Sequence, residues 1–315
     1  MNRSGAHDMT VRFRGVRGST PSPGLSTARY GGNTSCIEVR AGGEILILDA
    51  GTGIRTLGTD LLAEFGSASL DVTLLMSHMH WDHIQGLPFF APAYSASHRI
   101  RLMAAPGAGA KLLEALSNQM NPINFPVGLD QMKGLAAIEE IASNDVTLGA
   151  FRVQLFALNH PGGCAGFRIE AAGRSFAYLP DHEPFQSVTR AGHDVGAKAQ
   201  TEALIDFVRG VDLLILDTQY TEPEYASRLG WGHGCLPDSV FIAQGAGVKQ
   251  FALFHHDPSH TDLEIDAMVE AARALVPVSL VVTAAQEDEI IVPGAIPKSL
   301  VRSDRHPLFS AAALL

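Results

Sequence analysis

The sequence predicts an α/β fold: two β-sheets sandwiched by helices in a single domain of two similar halves, roughly residues 10–150 and 151–295, with a tail at 296–315. Short apolar, strand-like runs fall into two groups, stretches of 3.6-residue period lie between and after them, and no true repeat or low-complexity linker interrupts the pattern.

Taken in chain order, the first group comprises VRFRGV (11–16), SCIEVR (35–40), EILILDAG (44–51) and LDVTLLMSH (70–78). DAGTG, Asp49 to Gly53, reads as a strand-to-helix turn whose aspartate and threonine satisfy backbone donors. A first helix is expected over Gly53–Phe65, and a second over Gly107–Gln119. The segment QMNPINFPVGLDQM, Gln119–Met132, reads as a loop with a short helix. The second group comprises FRVQLFALNH (151–160), CAGFRIE (164–170), SFAYLPD (175–181), VDLLILDTQY (211–220), QFALFHHD (250–257) and SLVVTAAQEDEI (279–290). Helices are expected over Gln200–Arg209, Leu236–Gly245 and Leu263–Ala274, with His260 and Asp262 capping the last.

Composition narrows the function. A net charge of −10 argues against non-specific grip on duplex nucleic acid, which depends on many Lys and Arg contacts to phosphate. A small anionic substrate stays compatible, since a metal can carry the local positive charge. Cys36, Cys164 and Cys235 form an odd, scattered set suited to a reducing compartment. The N-terminal stretch lacks an apolar core of signal-peptide length and no segment approaches a membrane span, so a cytoplasmic protein without a membrane partner is expected.

The chemistry concentrates in SHMHWDHIQGLPFF, residues 77–90, which crowds three histidines and an aspartate into six residues directly after an apolar run. Burying such groups is costly unless something satisfies them, and a divalent cation would. His78, His80 and Asp82 alternate, so an extended segment points them one way, and a turn at Asp82 brings His83 around. Imidazole and carboxylate donors without cysteine suit an open catalytic site better than a structural zinc clip. The plainer alternative is a hydrogen-bonded turn that happens to be rich in histidine. Other strand candidates also stop at ligand-type residues: His160, Asp181, Asp217 and His255. Strands ending in one direction would gather them at a common rim.

The H-x-H-x-D-H motif, with GNTSCIEV, LILDAGTGI and LFHHDPSHTD, resembles the metallo-β-lactamase superfamily over most of the chain. The resemblance implies a four-layer αβ/βα sandwich, two mixed sheets flanked by helices, with a two-metal site at the sheet edge. By position it implies His78, His80 and His160 on one ion, Asp82, His83 and a late histidine on the other, and Asp181 bridging both. His255 is taken as the late ligand. His256, facing the opposite way on an extended segment, is then directed toward substrate. Asp49 matches an aspartate that supports the motif loop.

FRGVRGSTPSPG, YGGNTSCIEV, LDTQY and GWGHGC are similar to the phosphodiesterase branch, which includes transfer-RNA 3′-end processing enzymes and cyclic-nucleotide phosphodiesterases. There His233 matches a histidine that contacts the scissile phosphate; read plainly, it is a loop histidine between glycines. Asp217 either orients His233 or caps the following turn. The transfer-RNA enzymes carry a basic, glycine-rich arm, whereas residues 182–210 here hold only Arg190, Lys198 and Arg209 as fixed cations.

The expectation is therefore a binuclear hydrolase of a cyclic nucleotide or other small phosphodiester, in which Asp82 and His233, with Asp217 behind it, assist catalysis. Zinc is the expected metal, manganese and iron suiting the same donors, and relatives suggest a homodimer. Hydrolysis of a lactone, thioester or β-lactam is the competing chemistry, and a ligand-sensing protein with a retained metal site is the competing class.

Overall fold

A computed structural model describes residues 8–185, 187 and 195–295. The expected tail at 296–315 and Arg190 lie outside them. Two seven-stranded sheets stack face to face. The first runs β14 (Ile290–Ile291), β1 (Thr10–Gly15), β2 (Cys36–Ala41), β3 (Glu44–Leu48), β4 (Asp71–Met76), β5 (Arg99–Ala104), β6 (Leu135–Glu140). The second runs β13 (Val281–Ala284), β12 (Gln250–Phe254), β11 (Leu213–Asp217), β10 (Arg174–Leu179), β9 (Cys164–Ala171), β8 (Phe151–Leu158), β7 (Asp145–Leu148).

Read from β14 and from β7, both sheets show the same sequence of pairings, antiparallel on one side and parallel on the other. The division at residue 150 is not clean: β7 joins the second sheet, and the chain returns at its end to add β14 to the first. The expected strand at 279–290 is thus split between the two sheets.

Strand composition explains the layering. In β11, LLILD, Leu213 and Ile215 face the other sheet while Leu214 and Leu216 face helices, so a continuous apolar run is buried on both sides. Phe13, Phe151, Phe167, Tyr178 and Phe254 fill the space between the sheets, each contributing roughly 1.5–3 kcal/mol of burial. Helices α1 (Ile54–Phe65) and α3 (Gly109–Gln119) cover the first sheet. Helices α4 (Val195–Phe207), α6 (Leu236–Ala246) and α7 (Asp262–Leu275) cover the second. The result is the four-layer sandwich the resemblance implied.

Differences from expectation are local. The segment 119–132 holds a single 3-10 turn, Leu129–Gln131. Helix α4 starts five residues before the expected Gln200. The cap of α7 is Thr261, whose hydroxyl accepts the Glu264 N–H in a capping box, and not His260 or Asp262. Asp262 instead accepts the backbone N–H groups of Arg29 and Tyr30, and His260 meets Glu224 at 2.9 Å. No helix among the described residues is long and apolar enough to cross a membrane.

Candidate metal centre

Three parallel neighbours, β10, β11 and β12, end in register at one rim, Leu179 opposite Leu216 and Asp217 opposite Phe254. Asp181, Asp217 and His255 follow or terminate those strands, and His160 follows β8, which runs the same way two strands over. From the facing sheet, β4 delivers Ser77 and His78, and the single turn α2 (Trp81–Ile84) swings Asp82 and His83 inward. Gly86 lets this loop lie on the Asp49–Gly53 turn: its N–H reaches the Ala50 carbonyl at 2.8 Å, and a Cβ there would stand 2.0 Å from the Gly51 oxygen.

The side chains form two sets that share one residue. His78, His80, His160 and Asp181 bring one donor atom each within 4.8 Å of one another, and so do Asp82, His83, Asp181 and His255. Asp181 Oδ2 lies 3.6 Å from both His78 Nε2 and His160 Nε2, while its Oδ1 lies 3.1 Å from His83 Nε2 and 3.4 Å from His255 Nε2. Asp82 Oδ2 closes the second set at 3.4 Å from His83 and 3.2 Å from His255. One carboxylate therefore offers a different oxygen to each histidine group.

Hydrogen bonds fix which nitrogen each ring presents. Ser77 donates its hydroxyl to Asp49, so its oxygen accepts from His78 Nδ1 at 3.1 Å. His83 Nδ1 donates to Asp49 Oδ2 at 2.9 Å, His160 Nδ1 to the Gly232 carbonyl at 2.8 Å, and His255 Nδ1 to Gln219 Oε1 at 3.1 Å. In each case the outward nitrogen is committed and Nε2 points into the centre. His80 instead presents Nδ1, 2.8 Å from His160 Nε2. Two bare lone pairs cannot face each other at that distance without a cation or a proton between them.

Charge tells the same story. Burial alone would raise the Asp181 carboxyl, but the imidazoles of His255 and His83 hold it well below the usual carboxylate range. Burial opposes charge on His83 and His255, yet Asp181 and Asp82 outweigh it, raising His83 well above its ordinary value and His255 to about 9. Burial drives His78, His80 and His160 the other way. The buried atoms His78 Nε2, His83 Nε2 and Asp181 Oδ1 have no hydrogen-bond partner, a costly state unless a cation is their partner. A set of histidines and carboxylates without cysteine, with bare nitrogens converging, fits divalent ions.

Two buried residues, Asp49 and His255, hold left-handed backbone, each at φ 60°, which costs on the order of 1–3 kcal/mol for a non-glycine residue. The strain re-aims the chain at the site. After His255 it turns away, and His256 is buried with Nε2 2.9 Å from the Ala285 carbonyl and its ring edge-on to Tyr30. This corrects the substrate-facing role expected of His256: its polar atom is already satisfied inside the protein, and burial pushes it down to about 3.

Asp217 makes the contacts that each of its two expected roles calls for. Its Oδ2 accepts from His233 Nδ1 at 3.0 Å and from the His182 N–H, while Oδ1 accepts the Gln219 N–H and caps the turn. The His233 ring lies 5.2 Å from that of His160 and stacks 4.8 Å from that of His255, with the side chain 11% exposed. Asp49 accepts from the Ser77 N–H and hydroxyl, His83 and the Tyr178 hydroxyl, the latter at 2.8 Å. The sequence reading missed Ser77, Tyr178, Gln219, Gly232 and Glu183. Ser77, Tyr178, Gln219 and Gly232 stand inside stretches already quoted, SHMHWDHIQGLPFF, SFAYLPD, LDTQY and GWGHGC, but none of them ends a strand run or belongs to a ligand-type pattern.

A groove of about 440 Å³ adjoins the centre, bordered by His78, Met79, Lys111, Phe156 and Gly162. A larger cavity, about 680 Å³, lies at the opposite end of β12, away from every cluster residue. Gly232 sits close enough to His160 that a Cβ would stand 2.3 Å from Nδ1, and its φ of 89° disfavours a side chain. Gly232→Ala is expected to weaken metal binding by about 10–100-fold, read by competition against a chromogenic chelator.

With this geometry, comparison with known proteins is decisive for the family. Residues 45–256 match the family model described as beta-lactamase superfamily domain; the chain belongs to the metallo-β-lactamase superfamily, as its motifs suggested. More particularly, it is 22% identical to a Ribonuclease Z of Haloarcula marismortui over 84% of this chain and 91% of that protein. It is 25% identical to a Ribonuclease Z of Lachnoclostridium phytofermentans over 80% and 89%. The crystal structure of the metallo-β-lactamase fold protein YhfI from Bacillus subtilis superposes with a TM-score of 0.66 at 18% identity, covering 90% of this chain and 99% of that one.

Proposed function

We propose that the protein is a binuclear metal-dependent phosphodiesterase acting on a small phosphodiester, a cyclic nucleotide or a similar molecule. The observation that carries this reading is Asp181, whose two oxygens each face a separate histidine set. His78, His80 and His160 would hold one ion, Asp82, His83 and His255 the other, and Asp181 both; zinc suits these donors first. When bound, such ions supply Lewis acidity toward phosphoryl oxygens and acidify water.

The chain's own groups do the rest. Asp82, held by the Ser19 N–H at 2.7 Å, orients the attacking water. Asp217 accepts from His233 Nδ1 and so fixes the ring with Nε2 turned outward, where it delivers a proton to the departing oxygen. No covalent enzyme intermediate is required.

Two observations favour a small substrate over the RNA that the relatives' name would bring. The groove at His78 has the volume of a small-ligand site. In the stretch before β11, Lys198 lies 3.9 Å from Glu202 and Arg209 pairs with Asp206, so these cations already face carboxylates on their own segment.

The test is a panel with metal restored: bis(p-nitrophenyl) phosphate, a cyclic nucleotide, a transfer-RNA precursor, a lactone and nitrocefin. Turnover of the small diesters supports the reading, whereas turnover confined to the lactone or nitrocefin ends it and turnover confined to the precursor replaces the substrate class. His233→Ala is expected to lower kcat on the cyclic nucleotide, whose leaving alcohol needs a proton, by about 10²–10⁴-fold. Unchanged kcat in that variant would remove His233 from the reaction.

A further inference from the structure

Glu183 lies outside both donor sets, yet it touches the structure around them from several directions. Its Oε1 accepts the Gly230 N–H at 2.8 Å and the Tyr225 hydroxyl at 3.0 Å, and its Oε2 accepts the Gly232 N–H at 2.9 Å. Among the described residues these three donors, and no cation, hold the carboxylate. Charge-assisted bonds of this kind are short and strong, and three on one carboxylate fix a loop closely.

What they fix is the segment that serves both histidines. Gly232 uses its N–H on Glu183 and its carbonyl on His160 Nδ1, and the next residue is His233. Gly230 and Gly232 both carry positive φ, 80° and 89°, so the loop follows a path that side chains resist and that the strands do not dictate. Glu183 is also tied by its own backbone to the residue before His160: its N–H reaches the Asn159 carbonyl at 2.9 Å, and its carbonyl accepts from Asn159 Nδ2 at 3.0 Å. The ends of β8 and β10 and the loop before α6 are thereby held in one frame, with Tyr225 of the short helix α5 (Glu222–Tyr225) bracing the same carboxylate.

We infer that Glu183 is a positioning residue that sets the tautomer of His160 and the placement of His233 by fastening the 230–233 loop. The His233 half of this inference rests on the phosphodiesterase reading; the His160 half does not. Without the carboxylate, the Gly232 carbonyl is free to leave His160 Nδ1, and His233 loses the backbone anchor that keeps it beside Asp217. Displacements of about 1 Å in such groups cost on the order of a hundredfold in rate.

The test compares Glu183→Ala and Glu183→Gln with the unaltered full-length chain in two measurements. The first is kcat across a series of aryl phosphodiesters whose leaving phenols range from p-nitrophenol to weakly acidic ones. Loss of proton delivery matters most for poor leaving groups, so Glu183→Ala is expected to lose about a hundredfold on the least acidic phenol and less than about tenfold on p-nitrophenol. KM should change little, and Glu183→Gln, which keeps one accepting oxygen, should lie between. The second is the visible absorption of the cobalt(II)-loaded protein, which follows ligand geometry and should shift in Glu183→Ala and recover in part in Glu183→Gln. An equal loss across the series with an unshifted cobalt spectrum, or no loss at all, overturns the inference. If the unaltered chain turns over no phosphodiester, the proposed function fails on its own; the cobalt spectrum then decides, a shift upholding the action of Glu183 on His160 and an unshifted spectrum overturning it.

Discussion

Replacing Asp181 by alanine is expected to abolish both metal retention at two ions per chain and phosphodiester turnover, the latter by at least about a hundred- to a thousandfold. Its Oδ1 and Oδ2 face different histidine sets, so one substitution opens both at once. Among the described residues the neighbouring carboxylates are already committed: Asp82 closes the second set, and Asp217 is engaged with His233, His182 and Gln219. Asp181→Asn keeps the size but offers an NH₂ where one set needs an acceptor, so it should lose one ion and most of the rate. Elemental analysis after dialysis, alongside kinetics, separates the two losses. Full metal content in the alanine variant would show that the carboxylate is not shared.

The largest effect on stability is expected from Asp49→Ala. Asp49 is fully buried and satisfies the Ser77 N–H and hydroxyl, the His83 ring and the Tyr178 hydroxyl together. Deleting it leaves those donors buried and unpartnered, and breaking a buried pair such as Asp49–His83 typically costs about 3–5 kcal/mol. Tyr178→Phe removes a single hydrogen bond and should cost about 0.5–1.5 kcal/mol. Urea unfolding of the metal-free proteins measures both, and an Asp49→Ala loss below that of Tyr178→Phe would mean the network relaxes rather than orphaning its donors. In the metal-bound protein Asp49→Ala should also free the His83 ring to rotate, weakening binding by about 10–100-fold.

The parts of the site that the sequence reveals are those written locally. His78, His80, Asp82 and His83 lie within six residues, and His160, Asp181, Asp217 and His255 each end an apolar strand run, so type and position can be read together. The groups that aim them cannot be read this way. Tyr178 reaches Asp49 across 129 residues from the other sheet, and Glu183 reaches Gly232 across 49; both contacts exist only once the sheets have stacked. His256 was misread because alternation along an extended strand fails where His255 turns left-handed. At the level of the fold, β5, β6 and β7 escaped notice. Strand β6, LAAIEE, is largely unburied and offers no alternation strong enough to announce a strand, and β14 has only two residues.

The account's central claim is that Asp181 stands between two cations, and anomalous diffraction from crystals of the metal-restored protein, recorded at the absorption edge of the bound metal, tests it most directly. Two peaks roughly 3.5–4 Å apart are expected, one among His78, His80 and His160, the other among Asp82, His83 and His255, with Asp181 touching both. No peak within the cluster, or a single one that leaves His83 and His255 uncoordinated, would contradict it.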